Sequence, residues 1–286
     1  MMMRISYTKM HGCRNEYIYL NLLKSSQPEL ENANLPELAR KLSDRKTGLG
    51  SDGLILVGAS KDPQFDAVMV MFNADGSEGK MCGNGLRCVA KLVDEVLGPR
   101  ESYKIMTASG PRECFIVSRE SPERFIVRAN MGRPSFLPAK IPVLFDDVMV
   151  MNEEFEVAGR TFAISCVSMG NPHCVIEVKD LQNFPVAEYG PLIEKHEVFP
   201  EGVNVEFIEY VGGKLHQRTW ERGSGETMAC GTGACAVAVT QIMARKTPSP
   251  VDVHLKGGTL TIEWDGLRDV WMTGEAVTEK SGETDV

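Results

Sequence analysis

Two stretches of this chain are versions of one block: NADGSEGKMCGNGLRCVAKLV, starting at Asn73, and ERGSGETMACGTGACAVAVTQ, starting at Glu221. Laid over each other at an offset of 148 residues, they place Cys82 on Cys230, Gly83 on Gly231, Gly85 on Gly233 and Glu78 on Glu226. Carried on without a gap, the same offset brings Ser109-Gly110 onto Gly257-Gly258. Each of these turns is followed by an alternating run, ECFIV or LTIEW, that reads as a strand. One C-G-x-G alone is weak, because a plain helix cap accounts for it. Two copies that share an upstream glutamate and a downstream turn and strand imply a chain built from two similar halves.

The residues around each block set its local structure. VMVMFNADGS reads as a strand ended by the breakers Asn73, Asp75 and Gly76. LRCVAKLVDEVLG is rich in helix formers and stops at Gly98-Pro99. ACAVAVTQIMARK is apolar on almost every face, which places it inside its domain, and its stop is expected at Thr247-Pro248. Each half therefore reads as strands around a central helix that begins just after a C-G-x-G turn. The stretch Met131-Gly132-Arg133-Pro134 suits a crossing between halves. The expected division is 1–132 and 133–276, with a terminal strand, 277–286, reaching back to the first half. A chain of 286 residues is long enough for two domains of ordinary size.

Composition narrows the function. A formal charge of −8 offers no basic field for nucleic acid or an anionic membrane. The N-terminal residues hold no apolar run of signal-peptide length, and nothing later approaches a membrane span, so a cytoplasmic enzyme is expected. In that compartment the eight cysteines are expected as free thiols. No C-x-x-C pair, H-E-x-x-H helix or His/Cys cluster at ligand spacing occurs, so no metal site is expected. Cys114, Cys166, Cys174 and Cys235 lie in apolar runs and read as core residues.

Cys82 and Cys230 read differently. The first turn of a helix has free N–H groups and a positive dipole end, so it holds anions, and glycines let a ligand approach the backbone. A thiol in that place is expected to ionise more readily. Each C-G-x-G thus combines a proton-transfer group with a carboxylate cradle. Two such turns across one cleft suit inversion at the α-carbon of an amino acid. One thiolate takes the proton, the opposite thiol returns one, and the helix ends stabilise the charge that develops on the carboxylate. This chemistry requires no cofactor.

The chain resembles the diaminopimelate epimerases. The resemblance rests on YTKMHGCRNEY, GLGSDG, FNADGSEGKMCGNGLRC, MGNPHCV, FPEGVNVEF and WERGSGETMACGTGACA, in that order along the chain. It implies an α/β (α+β) fold of two pseudo-symmetric domains, each a mixed curled sheet or barrel around a central helix, with the active site between them. It implies interconversion of LL- and meso-2,6-diaminopimelate in lysine and peptidoglycan-precursor biosynthesis, without cofactors, by a homodimer. By motif position, Cys82 and Cys230 are the proton donor and acceptor, and His173 and Glu221 tune the thiols or align the ammonium group. Gly83, Asn84, Gly231 and Thr232 cradle the reacting carboxylate. Asn15, Asn73, Asn171, Asn204, Glu221 and Arg222 hold the substrate, with Arg222 suited to the distal carboxylate. The first block departs from the family pattern at Cys13-Arg14 and at Glu16, and Gly53 stands where some relatives have glutamine. Cys13 reads as packing. The competing readings are a related two-thiol racemase of the histidine or proline type, and a non-catalytic binding protein or thiol sensor.

Overall fold

The computed structural model describes residues 4–24, 27–30 and 32–286, and the chain divides into two compact units: residues 1–130 with 273–286, and residues 131–272. In the first unit the strands are β1 (Arg4–Gly12), β2 (Asn15–Asn21), β3 (Gly53–Gly58), β4 (Ala67–Asn73), β5 (Glu78–Gly79), β6 (Ser102–Thr107), β7 (Gly110–Arg119) and β8 (Arg124–Gly132). Its helices are α1 (Leu35–Ser43) and α2 (Gly83–Leu97). The second unit has β9 (Met151–Val157), β10 (Arg160–Ser168), β11 (Pro172–Glu177), β12 (Asn204–Val211), β13 (Lys214–Glu221), β14 (Gly225–Thr227), β15 (Val251–Leu255) and β16 (Gly258–Glu263), with helices α3 (Val186–Glu194) and α4 (Gly231–Met243). The last strand, β17 (Val270–Asp285), begins in the second unit and ends in the first.

In the first unit the strands close on themselves. β1 pairs with β2, β2 runs parallel to β3, β3 pairs antiparallel with β4, and β4 runs parallel to β6. The ring continues antiparallel through β7 to β8, then to β17, which returns antiparallel to β1. Closure removes the exposed edges that an open sheet would carry. Helix α2 lies among the inward-facing residues of this ring: Leu86, Val89 and Val93 pack with Tyr19, Ile55, Ile105 and Val127, all buried. Burying each such aliphatic side chain contributes about 1.5–3 kcal/mol.

The second unit repeats the plan. β10 pairs with β9 and β11, β11 runs parallel to β12, β12 pairs with β13, β13 runs parallel to β15, and β15 pairs with β16. Helix α4 packs against β10, β11, β12, β15 and β16, as its apolar faces require. It ends earlier than the sequence implied. Arg245 takes a left-handed φ of 56°, and the N–H groups of Arg245 and Lys246 return to Ile242 and Gln241. That closing turn satisfies the last carbonyls before Thr247-Pro248 is reached. Cys114, Cys166, Cys174 and Cys235 are fully buried, and all eight cysteines are free thiols. No helix among the described residues is long and apolar enough to cross a membrane.

The far end of α2 is pinned by one buried carboxylate. Asp94 lies 2.7 Å from the Tyr103 hydroxyl, and its Oδ2 accepts from Nε of Arg119 at 2.9 Å. Burial alone would raise the Asp94 carboxyl, but Arg119, Tyr103 and the Arg100 N–H outweigh it and hold it below the usual carboxylate range. The stabilisation this gives is complete above about pH 4 and is lost as pH falls through the lower folded value. Asp94→Asn is therefore expected to cost about 2 kcal/mol at pH 7. In urea unfolding, the gap between variant and wild type should narrow by about pH 3.5. An equal gap at both pH values would contradict this account of Asp94.

Candidate active site

Cys82 is the N-cap of α2 and Cys230 the N-cap of α4. Each is extended (φ −127° and −114°), and each sulfur accepts the N–H three residues on, from Gly85 or Gly233, at 3.4 Å. The thiol thus takes the place that Ser, Thr, Asp or Asn usually fill. The first-turn N–H groups of Gly83-Asn84 and Gly231-Thr232 have no intrahelical partners, which suits them to an anion. Glycine at the third position leaves room for side chains packed behind the turn. A Cβ on Gly85 would lie 2.6 Å from Cδ1 of Ile55, and one on Gly233 would lie 2.7 Å from Oε1 of Glu206.

Around Cys82 the structure gathers Asn15 and Asn84. The Cys82 thiol donates to Oδ1 of Asn15 at 3.4 Å, and Nδ2 of Asn84 donates to the same oxygen at 3.3 Å. Asn15 opens β2 directly after a two-residue turn in which Cys13 and Arg14 both have positive φ (53° and 60°). Gly12 pairs with Asn15, so the hairpin closes with both turn residues left-handed, the geometry that matches the twist of the strands. The departure at Cys13-Arg14 therefore leaves Asn15 first in its strand. Cys13 is fully buried, as a packing residue is. Asn73, at the exposed end of β4, donates from Nδ2 to Ser77 at 3.0 Å. Gly53 has no room for a side chain, since a Cβ there would lie 2.2 Å from the Phe72 carbonyl oxygen.

Around Cys230 lie Thr232, Asn171, His173 and Glu221. The Cys230 sulfur is 3.4 Å from Oγ1 of Thr232, which accepts from Nδ2 of Asn171 at 3.3 Å. Oδ1 of Asn171 lies 3.0 Å from Nε2 of His173, and Nδ1 of His173 lies 2.9 Å from Oε1 of Glu206. Glu221 accepts from the Thr227 hydroxyl at 2.6 Å. Asn204 is committed at both ends, donating to the Pro172 carbonyl at 2.8 Å and accepting the Arg222 N–H at 3.0 Å. Arg222 is exposed and donates to the Glu201 carbonyl at 2.8 Å. Glu194 braces the turn on either side of Glu221-Arg222, accepting from the Trp220 indole at 2.7 Å and the Gly223 N–H at 3.0 Å.

The electrostatics of Cys230 run against the expectation from its helix end. Burial, then the charges of Glu221 and Glu206, raise its thiol well above the ordinary value, and the Thr232 hydroxyl and Gly233 N–H only partly offset them. Glu221 is itself raised, chiefly by burial. Cys230 therefore rests as a protonated thiol. Among the described residues no group of three or more His, Cys, Asp or Glu side chains is placed to hold a metal ion.

Comparison with known proteins fits this geometry. The family model described as diaminopimelate epimerase matches residues 7–137 and 165–279. The diaminopimelate epimerase of Leptospira biflexa serovar Patoc is 44% identical over 99% of this chain and 100% of its own length. That of Geobacillus thermodenitrificans is 48% identical over 96% of this chain and 95% of its own. The chain belongs to the diaminopimelate epimerase family. Among solved structures, a hydroxyproline epimerase from Agrobacterium vitis superposes with a TM-score of 0.67 at 16% identity, covering 99% of this chain and 91% of the other. A Bacillus anthracis phenazine biosynthesis protein of the PhzF family gives 0.65 at 18% identity, covering 98% and 99%. At these identities the likeness is one of fold.

Strand register extends the equivalence of the halves upstream of the repeated block. Tyr17 pairs with Gly53 and Gly53 with Asn73, while His173 pairs with Asn204, whose neighbour Val205 faces Trp220. Asn15 and Asn171 are therefore equivalent positions in this diaminopimelate epimerase family member, as are Asn73 and Glu221. Loops of different length hid this from a gapless comparison. Sequence reading also missed Asp52, Arg87, Glu206 and Gln217. The available signal was a charged or polar residue inside an apolar element, as in GLRCV and VNVEFIEY. Replacing Glu221 by Gln removes the stronger of two charges that raise the Cys230 thiol. Iodoacetamide labelling of Cys230 in ligand-free Glu221→Gln, followed by peptide mass spectrometry, is expected to run several-fold faster at pH 8 than in wild type. Equal or slower labelling would contradict the charge assignment.

Proposed function

We propose that this chain interconverts LL- and meso-2,6-diaminopimelate, a step of lysine and peptidoglycan-precursor biosynthesis, by proton transfer between Cys82 and Cys230 across the α-carbon. The observation that carries the reading is the pair of thiol N-caps on equivalent glycine turns, in a chain of this family. In the reaction one cysteine, as thiolate, removes the α-proton, and the other, as thiol, delivers a proton to the opposite face. The charge that develops on the α-carboxylate is met by backbone N–H groups of Gly83-Asn84 and Gly231-Thr232. Losing one such donor typically costs about 3–4 kcal/mol of barrier lowering. The protonated resting state of Cys230 suits it to the donor role in the direction that begins with Cys82 as base. Asn15, Asn73, Asn171, Asn204 and Arg222 select the substrate, with Arg222 reading the distal carboxylate, while His173 and Glu221 tune Cys230 and align the ammonium group.

The reading includes a homodimer acting in the cytoplasm without a cofactor, as the family resemblance implies. A related histidine or proline racemase is the alternative, and it has no use for a W-E-R turn braced around Arg222. Purified protein with no added cofactor is expected to exchange the substrate α-hydrogen with solvent deuterium. Cys82→Ala and Cys230→Ala should each abolish epimerisation, read by chiral chromatography; full activity in either variant rejects the two-thiol mechanism. Arg222→Ala is expected to raise KM for diaminopimelate roughly 10- to 150-fold, the value of a hydrogen bond to a charged group. An unchanged KM would favour the racemase alternative.

A further inference from the structure

The amide of Asn15 is held between two ionic side chains that no motif assigns to the site. Nδ2 of Asn15 donates to Oδ2 of Asp52 at 2.9 Å, and the Glu16 N–H donates to the same oxygen at 2.8 Å. The other carboxylate oxygen of Asp52 accepts from Arg45 at 2.9 Å. On the opposite side, Nη2 of the fully buried Arg87 donates to Oδ1 of Asn84 at 2.9 Å, and Nδ2 of Asn84 donates to Oδ1 of Asn15. A carboxylate accepts and a guanidinium donates, so neither end leaves the amides a choice of orientation. The atom of Asn15 that faces Asp52 has to be nitrogen, and the atom of Asn84 that faces Arg87 has to be oxygen. Both constraints turn the carbonyl oxygen of Asn15 toward Cys82.

We propose that Asp52 and Arg87 are positioning residues that present Asn15 to Cys82, and to the ligand beside it, as a hydrogen-bond acceptor only. An acceptor in that place holds the Cys82 proton in the ligand-free protein. It also reads a donor such as the substrate ammonium group and repels a carboxylate. Gly12 serves the arrangement, since a Cβ there would lie 2.6 Å from Nη2 of Arg87. The fold itself does not demand these charges. By strand register and repeat offset, the second unit has Val203 in place of Asp52 and Cys235 in place of Arg87. There the equivalent Asn171 is oriented by His173 instead.

The inference rests on the reading of Asn15 as a substrate-site residue, and a double-mutant cycle on diaminopimelate epimerisation separates the two. Asp52→Ala is expected to lower kcat/KM about 10- to 100-fold, the scale of a slightly misplaced site group. The same change made in Asn15→Ala should cost nothing further. Asp52→Asn keeps one oxygen able to accept from both Asn15 and Glu16, and should retain most of the activity. Arg87→Met is paired with Asn84→Ala in the same way; if Arg87→Met does not fold, the Asp52 cycle decides alone. A loss in Asn15→Ala without one in Asp52→Ala, or an equal Asp52→Ala loss in both backgrounds, overturns the positioning role alone. Full activity in Asn15→Ala overturns the site assignment of Asn15 and this inference with it.

Discussion

A helix that starts inside a curled sheet must satisfy its first N–H groups without bulk water, and that constraint shapes each half of this protein. A thiol at the N-cap satisfies the N–H at the third position, and the remaining donors of the first turn are left for a ligand. The glycine at that third position follows from packing, because side chains from the strands behind it, Ile55 or Glu206, come within 2.7 Å of where a Cβ would stand. The capping cysteine is also the residue whose sulfur reaches the same space as the free N–H groups. Helix cap and thiol are one side chain.

What surrounds the cap decides how that thiol behaves. At Cys230 burial and two carboxylates outweigh the N–H at the helix start, so proximity to a helix end does not by itself make a thiolate. Helix-end stabilisation is strongest when the donors point at a formed charge in a closed, dry site. Without a ligand, desolvation acts first. Under the proposed mechanism, the protonated resting state is compatible with proton transfer once a carboxylate and an ammonium group enter.

The sequence carried the gapless part of the repeat because nothing was inserted between β4 and β7 or between β13 and β16. From that stretch the two cysteines, both helix starts and the strands after them could be read directly. Upstream, loops of unequal length around α1 and α3 break the offset, so the equivalence of Asn15 with Asn171 emerges only from strand register. The end of α4 was misjudged because Arg245 supplies a left-handed closing residue that glycine usually provides. Arg87 and Glu206 were missed for a different reason. Each is a charge flanked on both sides by apolar residues, and burial is a property of the packed unit, which a linear pattern does not reveal.

The two C-G-x-G turns are alike in backbone and unlike in what stands behind them. Ile55 and Met69 back Gly85, whereas Glu206 and Gln217, the equivalent positions, back Gly233. Glu206 is fully buried, its carboxyl raised by burial against the opposing pull of His173, and Oε2 has no hydrogen-bond partner among the described residues. His173 has Oδ1 of Asn171 at Nε2 and a carboxylate oxygen at Nδ1. Both ring nitrogens therefore face oxygens, one of an amide and one of a carboxyl group. The imidazole supplies the hydrogen-bond partner that a buried carboxyl needs in an apolar interior. Nε2 of His173 lies against the Asn171 carbonyl oxygen, and the Asn171 amide donates to Thr232. The Thr232 hydroxyl that accepts there also lies 3.4 Å from the Cys230 sulfur, and either of the two can be the donor. The first half therefore orients its asparagines with Asp52 and Arg87 and the second with an imidazole backed by a buried carboxyl, so two halves built on one plan give their thiols different surroundings.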